Sequence, residues 1–277
     1  MILSASRVRA LLDRHGLEPR RSMGQNFMVD QNTIDRITAL SEVGPGDQVV
    51  EIGPGLGALT CALAATGADV TAIEADRSIL PVLHEVLGDA GLVDRVQVIH
   101  ADATAVDWAS EFNEPDATLH VVANLPYNIA TGLVCDLLAD VPAIATMTVL
   151  VQAEVAERMT AAPHSRQIGA VTLKVAHWSD ARIVARVPPT VFVPQPRVES
   201  AVVRLVRHNR QPNDVPLDTL WMLVRAGYAQ RRKMLRRSLT ELVDDATFVT
   251  AGVDPTARPE HLTLPEWYDL TRAMVQR

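Results

Sequence analysis

Cysteine is nearly absent from this chain: the 277 residues hold two, Cys61 and Cys135. They are far apart, and neither has a Cys or His at ligand spacing. No disulfide framework, structural zinc or other metal site is expected. Lysine is just as scarce, with Lys174 and Lys233 the whole supply. The positive charge is therefore almost all arginine, which can fork onto phosphates and also stack on bases. No stretch approaches the roughly 18 uninterrupted apolar residues of a membrane helix. Met1 to Arg7 carries no signal-peptide core. A cytoplasmic protein off the membrane is expected, and a monomer. There is no internal repeat and no low-complexity tract.

What is present is enough apolar side chain, 48% of residues, to bury a substantial core. The net charge of −7 argues at first against a polyanionic partner. Its distribution argues the other way. Residues 37–180 carry a net −14, and residues 181–240 a net +9. A basic block set against an acidic body is the asymmetry of a chain with one face turned to nucleic acid.

Apolar runs end at residues 52, 73, 100, 123 and 152 and read as strands, with helical patterns between most of them. Such alternation predicts a parallel, doubly wound sheet, an α/β fold of Rossmann-like type. Val171–His177, Ile183–Val187 and Ser200–Val206 read as further strands. From His208 to Asp214 the text turns polar, and Leu217–Val243 reads as strongly helical. The expected division is a domain over 1–206 and a small helical domain over 207–277.

Two patterns carry chemistry. In the first, Glu51-Ile52-Gly53-Pro54-Gly55-Leu56-Gly57 joins a strand to a helix. Its glycines let a ligand approach the backbone. Glu74 lies 21 residues beyond Gly53 at the next strand end, placed to accept from ribose hydroxyls. Asp102 ends the third strand, placed to accept from an adenine amino group. Gly53, Gly55 and Ala58 satisfy a dinucleotide fingerprint, but Pro54 and Glu51 suit S-adenosylmethionine better, which has no pyrophosphate. In the second pattern, Asn124-Leu125-Pro126-Tyr127 closes the fourth strand. It offers an amide acceptor, a stiffened backbone and an aromatic plate, a set suited to gripping a planar base. The bland alternative for each is a tight turn with packed side chains.

Together with Gly24-Gln25-Asn26-Phe27, the run Val151 to Arg158 and the run Phe192 to Val203, these patterns make the chain similar, over nearly its whole length, to the small-subunit ribosomal RNA adenine dimethyltransferases, the KsgA family. The resemblance implies transfer of methyl groups from S-adenosylmethionine to N6 of two adjacent adenosines near the 3′ end of small-subunit (16S) rRNA. It implies a partner in the small ribosomal subunit and a place in its biogenesis. Carried over by position, Asn26, Met28, Gly53, Gly55, Glu74, Asp102 and Asn124 would hold the cofactor. Asn124 would also border the target base, with Tyr127 stacking on it and Phe192 as the second wall. Met28 stands where the family usually has leucine, and Gln152-Ala153-Glu154 lacks a lysine common in that run.

Arg225, Arg231, Arg232, Lys233, Arg236 and Arg237 lie on or near one expected helix. Beside an RNA site they are expected to meet phosphates, where alone they would read as a solvated face. His15, His84, His164 and His177 show no ligand or triad spacing. Three other readings stand beside the first. One is a large-subunit rRNA adenine methyltransferase of the macrolide-resistance kind, and another is an assembly factor acting mainly by binding. The third, an NAD-dependent oxidoreductase, leaves Asn124 to Tyr127 unexplained.

Overall fold

The structure is a computed structural model and describes residues 3–20, 23–112 and 118–276. Its strands are β1 (Phe27–Met28), β2 (Gln48–Ile52), β3 (Asp69–Glu74), β4 (Val96–His100), β5 (Leu119–Asn124), β6 (Ile144–Gln152), β7 (Ser179–Val187), β8 (Phe192–Val193) and β9 (Ser200–Arg207). The main sheet runs in the order β4-β3-β2-β5-β6-β9-β7. From β4 to β6 neighbouring strands are parallel, because a helix or loop crossover returns the chain to the same end each time. β9 pairs antiparallel with β6. The reversal between β2–β3 and β2–β5 opens a crevice at the carboxyl ends of β2 and β5, where open α/β sheets bind ligands. β1 and β8 form a separate antiparallel pair, with Met28 opposite Phe192.

The central strands are buried on both faces, as their continuous apolar text requires. Val49, Val70, Ala72 and Val122 pack against Leu59, Leu63, Leu83 and Leu87 from flanking helices. The helix Ala5–Arg14 starts at Ser4, whose side chain accepts from the Arg7 amide. The helix Gln31–Ser41 starts at Asp30, which accepts from the Thr33 amide.

The described residues divide into two compact units, one of 1–156 with 181–207, the other of 157–180 with 208–277. The sequence division at 206 leaves out one thing: residues 157–180 gather with the C-terminal helices. Val171–His177, expected as a strand, is a helix, Ala170–Trp178. Its Leu173 packs in the second core with Leu220, Leu235, Phe248 and Trp267. A short apolar run with β-branched residues reads equally as strand or buried helix, and tertiary burial decides. Leu217–Val243 is not one helix either. It breaks after Leu217–Ala229 and resumes as the short helix Leu235–Ser238. The break is held from outside: the Leu235 and Arg236 amides donate to the carbonyls of Ala257 and Pro255. His177 in this unit is a packing residue, with Nδ1 2.8 Å from the Tyr268 hydroxyl. Burial pushes its imidazole down to about 4, so it sits neutral.

Candidate active site

One cavity at the carboxyl ends of β2, β3 and β5 gathers Asn26, Met28, Gly53, Gly55, Glu74, Asp102 and Asn124. The glycine turn enters it with positive φ at Gly53, Gly55 and Gly57 (70°, 54° and 86°). At Gly57 a Cβ would lie 2.7 Å from Leu83 Cδ1, so the turn and the packed helix beneath it both demand glycine. Glu74 is oriented by two backbone donors, the Gly55 amide at 3.1 Å and the Asp76 amide at 2.8 Å. Each bond takes one lone pair on a different oxygen, and each oxygen keeps another for a ligand hydroxyl. Burial raises the Glu74 carboxyl above its ordinary range, and these amides oppose the shift. On exposed Asp102, one oxygen takes both the Thr104 amide (2.9 Å) and hydroxyl (2.7 Å). Those bonds hold Asp102 below the usual carboxylate range and leave its other oxygen for a ligand amine.

Asn124 ends β5. Its Nδ2 donates to the carbonyl of Asn26 at 3.2 Å. That bond fixes which end of the amide faces which way, and it leaves Oδ1 as an acceptor with no donor among the described residues. The Leu125 carbonyl likewise receives no donor among them. The segment that supplies Asn26 is itself pinned. Gln25 Nε2 donates to Asp76 at 2.8 Å, and Gly24, at φ +66°, lies against Pro126. Tyr127 is half-buried, with its hydroxyl 2.8 Å from the buried Ser200 Oγ. Neither Tyr127 nor Phe192 lies on the cavity wall. Phe192 is only 1% exposed and packs in the first core. As it stands its ring shows no face to a ligand, so the expected second wall is covered in this structure.

Sequence reasoning used Glu51, with Pro54, to favour S-adenosylmethionine, but gave its side chain no place in the site. It lies on the cavity wall, 1% exposed, and its Oε2 has no hydrogen-bond partner among the described residues. Burial pushes its carboxyl from about 4.5 up to about 8; the Thr60 hydroxyl opposes the shift and the nearby Glu74 adds to it. Between those two values the folded protein holds a proton that the unfolded chain gives up. Stability therefore falls as pH rises through that window, by at most about 1.4 kcal/mol per pH unit from this group. Urea unfolding at about pH 5.5 and about pH 7.5 should show this slope in the native chain and a flatter one in Glu51→Gln. Equal slopes in the two proteins would refute the assignment.

Of the basic residues picked from sequence, Arg231 is tied inside its own unit. Its Nε donates to Glu260 at 2.7 Å and its guanidinium to the Arg166 carbonyl at 2.6 Å. Arg225, Arg232, Lys233, Arg236 and Arg237 are exposed. No ion pair engages these five among the described residues.

The acceptors at the ends of β3 and β4 suit a nucleoside. The orphaned Glu51 oxygen suits a positive charge on the same ligand, so the donor set fits S-adenosylmethionine.

Comparison with known proteins agrees. Residues 16–275 match the family model described as ribosomal RNA adenine dimethylase. The chain is 39% identical to the ribosomal RNA small subunit methyltransferase A of Cutibacterium acnes, covering 99% of this chain and 95% of that one. It is 40% identical to the protein of that name from Magnetococcus marinus, covering 95% of each. Among solved structures, the 23S rRNA methyltransferase ErmE superposes with a TM-score of 0.68 at 27% identity, over 91% of this chain and all of that one. A dimethyladenosine transferase from Plasmodium falciparum superposes at 0.75 with 21% identity, over 88% of this chain and 95% of that one, a likeness of fold. The chain belongs to the ribosomal RNA adenine dimethylase family.

Proposed function

We propose that this protein transfers methyl groups from S-adenosylmethionine to N6 of two adjacent adenosines near the 3′ end of small-subunit rRNA, two to each, during subunit biogenesis. The observation that carries the reading is the Asn26–Asn124 bond, which leaves Asn124 Oδ1 as a fixed acceptor at the edge of the cofactor cavity. The cofactor supplies an electrophilic methyl group on a sulfonium. Glu74 accepts from its ribose hydroxyls and Asp102 from its adenine amine. The target N6 is a poor nucleophile, because its lone pair is delocalised into the ring. Asn124 Oδ1 and the Leu125 carbonyl accept its two hydrogens and turn the lone pair out of conjugation. The N6–C bond forms as the S–C bond breaks, and the nitrogen then loses its proton to water. No strong base is needed, because the methylated nitrogen is acidic. Positioning supplies much of the acceleration. Tyr127, anchored through Ser200, stacks on the base. Phe192 serves as the second wall only once its ring is uncovered as the base enters.

Incubation with labelled S-adenosylmethionine and unmethylated small subunits, large subunits or free RNA tests the reading. Label is expected as N6-dimethyladenosine in small-subunit RNA; label confined to the large subunit would overturn it. The relatives of 39–40% identity carry small-subunit names, and the 23S enzyme stands at 27%.

The exposed arginines of the C-terminal unit are assigned to rRNA phosphates. Reversing Arg232 and Arg236 to Glu is expected to weaken binding to small-subunit particles at least about tenfold and to lower the salt slope by about two. Cofactor affinity should be unchanged. Particle binding equal to that of the native chain would remove these residues from the interface.

A further inference from the structure

Glu51 is a buried carboxyl of the cavity that suits a positive charge and has no hydrogen-bond partner for its Oε2 among the described residues. It sits on β2, beneath the glycine turn. The titratable groups that face it are Glu74 from β3 and Cys61 from the helix Ala58–Ala65, with the Thr60 hydroxyl beside it. Each of these is neutral or anionic. An ionised carboxylate buried among such neighbours is costly until a cation arrives. S-Adenosylmethionine brings one in its sulfonium. After transfer the same molecule is a neutral sulfide, S-adenosylhomocysteine, with the same adenosine and the same amino-acid tail. Donor and product thus differ at the reacting atom by one methyl group and one positive charge.

We propose that Glu51 reads that charge: its carboxylate favours the sulfonium donor over the sulfide product and so helps to clear the cavity after each transfer. The proposal rests on the donor assignment above. Four transfers to one RNA need repeated exchange of product for donor, so a site that held both equally would stall on its own product. In the free protein the Glu51 carboxyl holds a proton at neutral pH. Binding of a cation drives that proton off, and binding of the sulfide does not.

Isothermal titration of the full chain and of Glu51→Gln is the test. The probes are S-adenosylmethionine, S-adenosylhomocysteine and sinefungin, whose ammonium stands in for the sulfonium and cannot transfer. In the variant, S-adenosylmethionine and sinefungin are expected to bind about tenfold more weakly, with the sulfide unchanged within about twofold. In the native chain near pH 7, phosphate and Tris buffers, which differ in ionisation heat, should reveal proton release with the two cations and none with the sulfide. Equal losses for all three ligands would mean that Glu51 meets the ammonium that they share, and would overturn the proposal. So would unchanged affinities. Should the variant melt as an unfolded chain, proton release by the native chain decides alone; equal release with donor and product overturns the idea. Failure of every probe to bind the native chain would instead remove the donor assignment, and this proposal with it.

Discussion

An Asn124→Ala protein is expected to methylate small-subunit RNA two to three orders of magnitude more slowly than the native chain, while holding S-adenosylmethionine within about tenfold of native affinity. The side chain lost is an acceptor whose direction the fold has already fixed. In the native chain Nδ2 is committed to the Asn26 carbonyl, 3.2 Å away, so Oδ1 meets the incoming amine without a search. Removing one such preorganised partner from a developing charge typically costs about 3–4 kcal/mol of activation free energy. Cofactor binding keeps Glu74, Asp102 and the glycine turn, so its loss is smaller. Single-turnover label incorporation gives the first quantity, and isothermal titration the second. Native turnover in the alanine protein would end the proposed role of Asn124. Parallel loss of turnover and cofactor affinity would make it a cofactor ligand alone.

The second large effect is expected from a glycine outside the glycine-rich turn. A Cβ at Gly24 would lie 2.9 Å from Pro126 Cβ and 3.2 Å from Pro126 Cα, at a φ of +66°. Gly24→Ala therefore adds left-handed strain of about 1–2 kcal/mol and pushes the 24–26 segment off the Asn124 turn. The Asn26 carbonyl moves with it, and Asn124 loses the bond that orients it. Both turnover and cofactor affinity should fall by about tenfold or more. Gly16→Ala is the control. Its φ is +63°, nearly the same, and nothing lies within 4 Å of the place its methyl would occupy. That variant carries the strain without the crowding, so its stability drops slightly and its turnover stays native. Equal loss of turnover in the two proteins would show that strain, and not the contact with Pro126, is responsible.

These contacts also mark where sequence ceased to be informative. Gly53, Glu74, Asp102 and Asn124 were legible because each ends a strand or opens a turn, and a parallel sheet brings those ends to one edge. Nothing local says that Asn26 reaches Asn124 across 98 positions, that Gly24 needs its missing side chain because of Pro126, or that Tyr127 hangs on Ser200. Glu51 counted in sequence toward S-adenosylmethionine, but its burial without a partner did not show. Its significance depends on which neighbours are cationic, and none of those facing it is. Phe192 was named as the second wall through the family resemblance alone, and nothing local says that its ring is buried in the first core. The same limit explains Val171–His177. Its β-branched text fits a strand, and only the partners in the second core make it a helix. Arg231 looked like its neighbours in sequence, yet Glu260 and the Arg166 carbonyl hold it within the fold.

The strand order β4-β3-β2-β5-β6-β9-β7 imposes a timetable on synthesis. As the chain leaves the ribosome, β3, β4, β5 and β6 each find a waiting edge on strands already made. β7 does not, because its neighbour β9 is translated after it. Until residue 200 and beyond have emerged, the edge of β6 that β9 will pair stands open, with the backbone groups of residues 146–152 on that side lacking their ladder partners. During that interval the open edge is a template for pairing with another growing chain. A late strand thus seals the sheet.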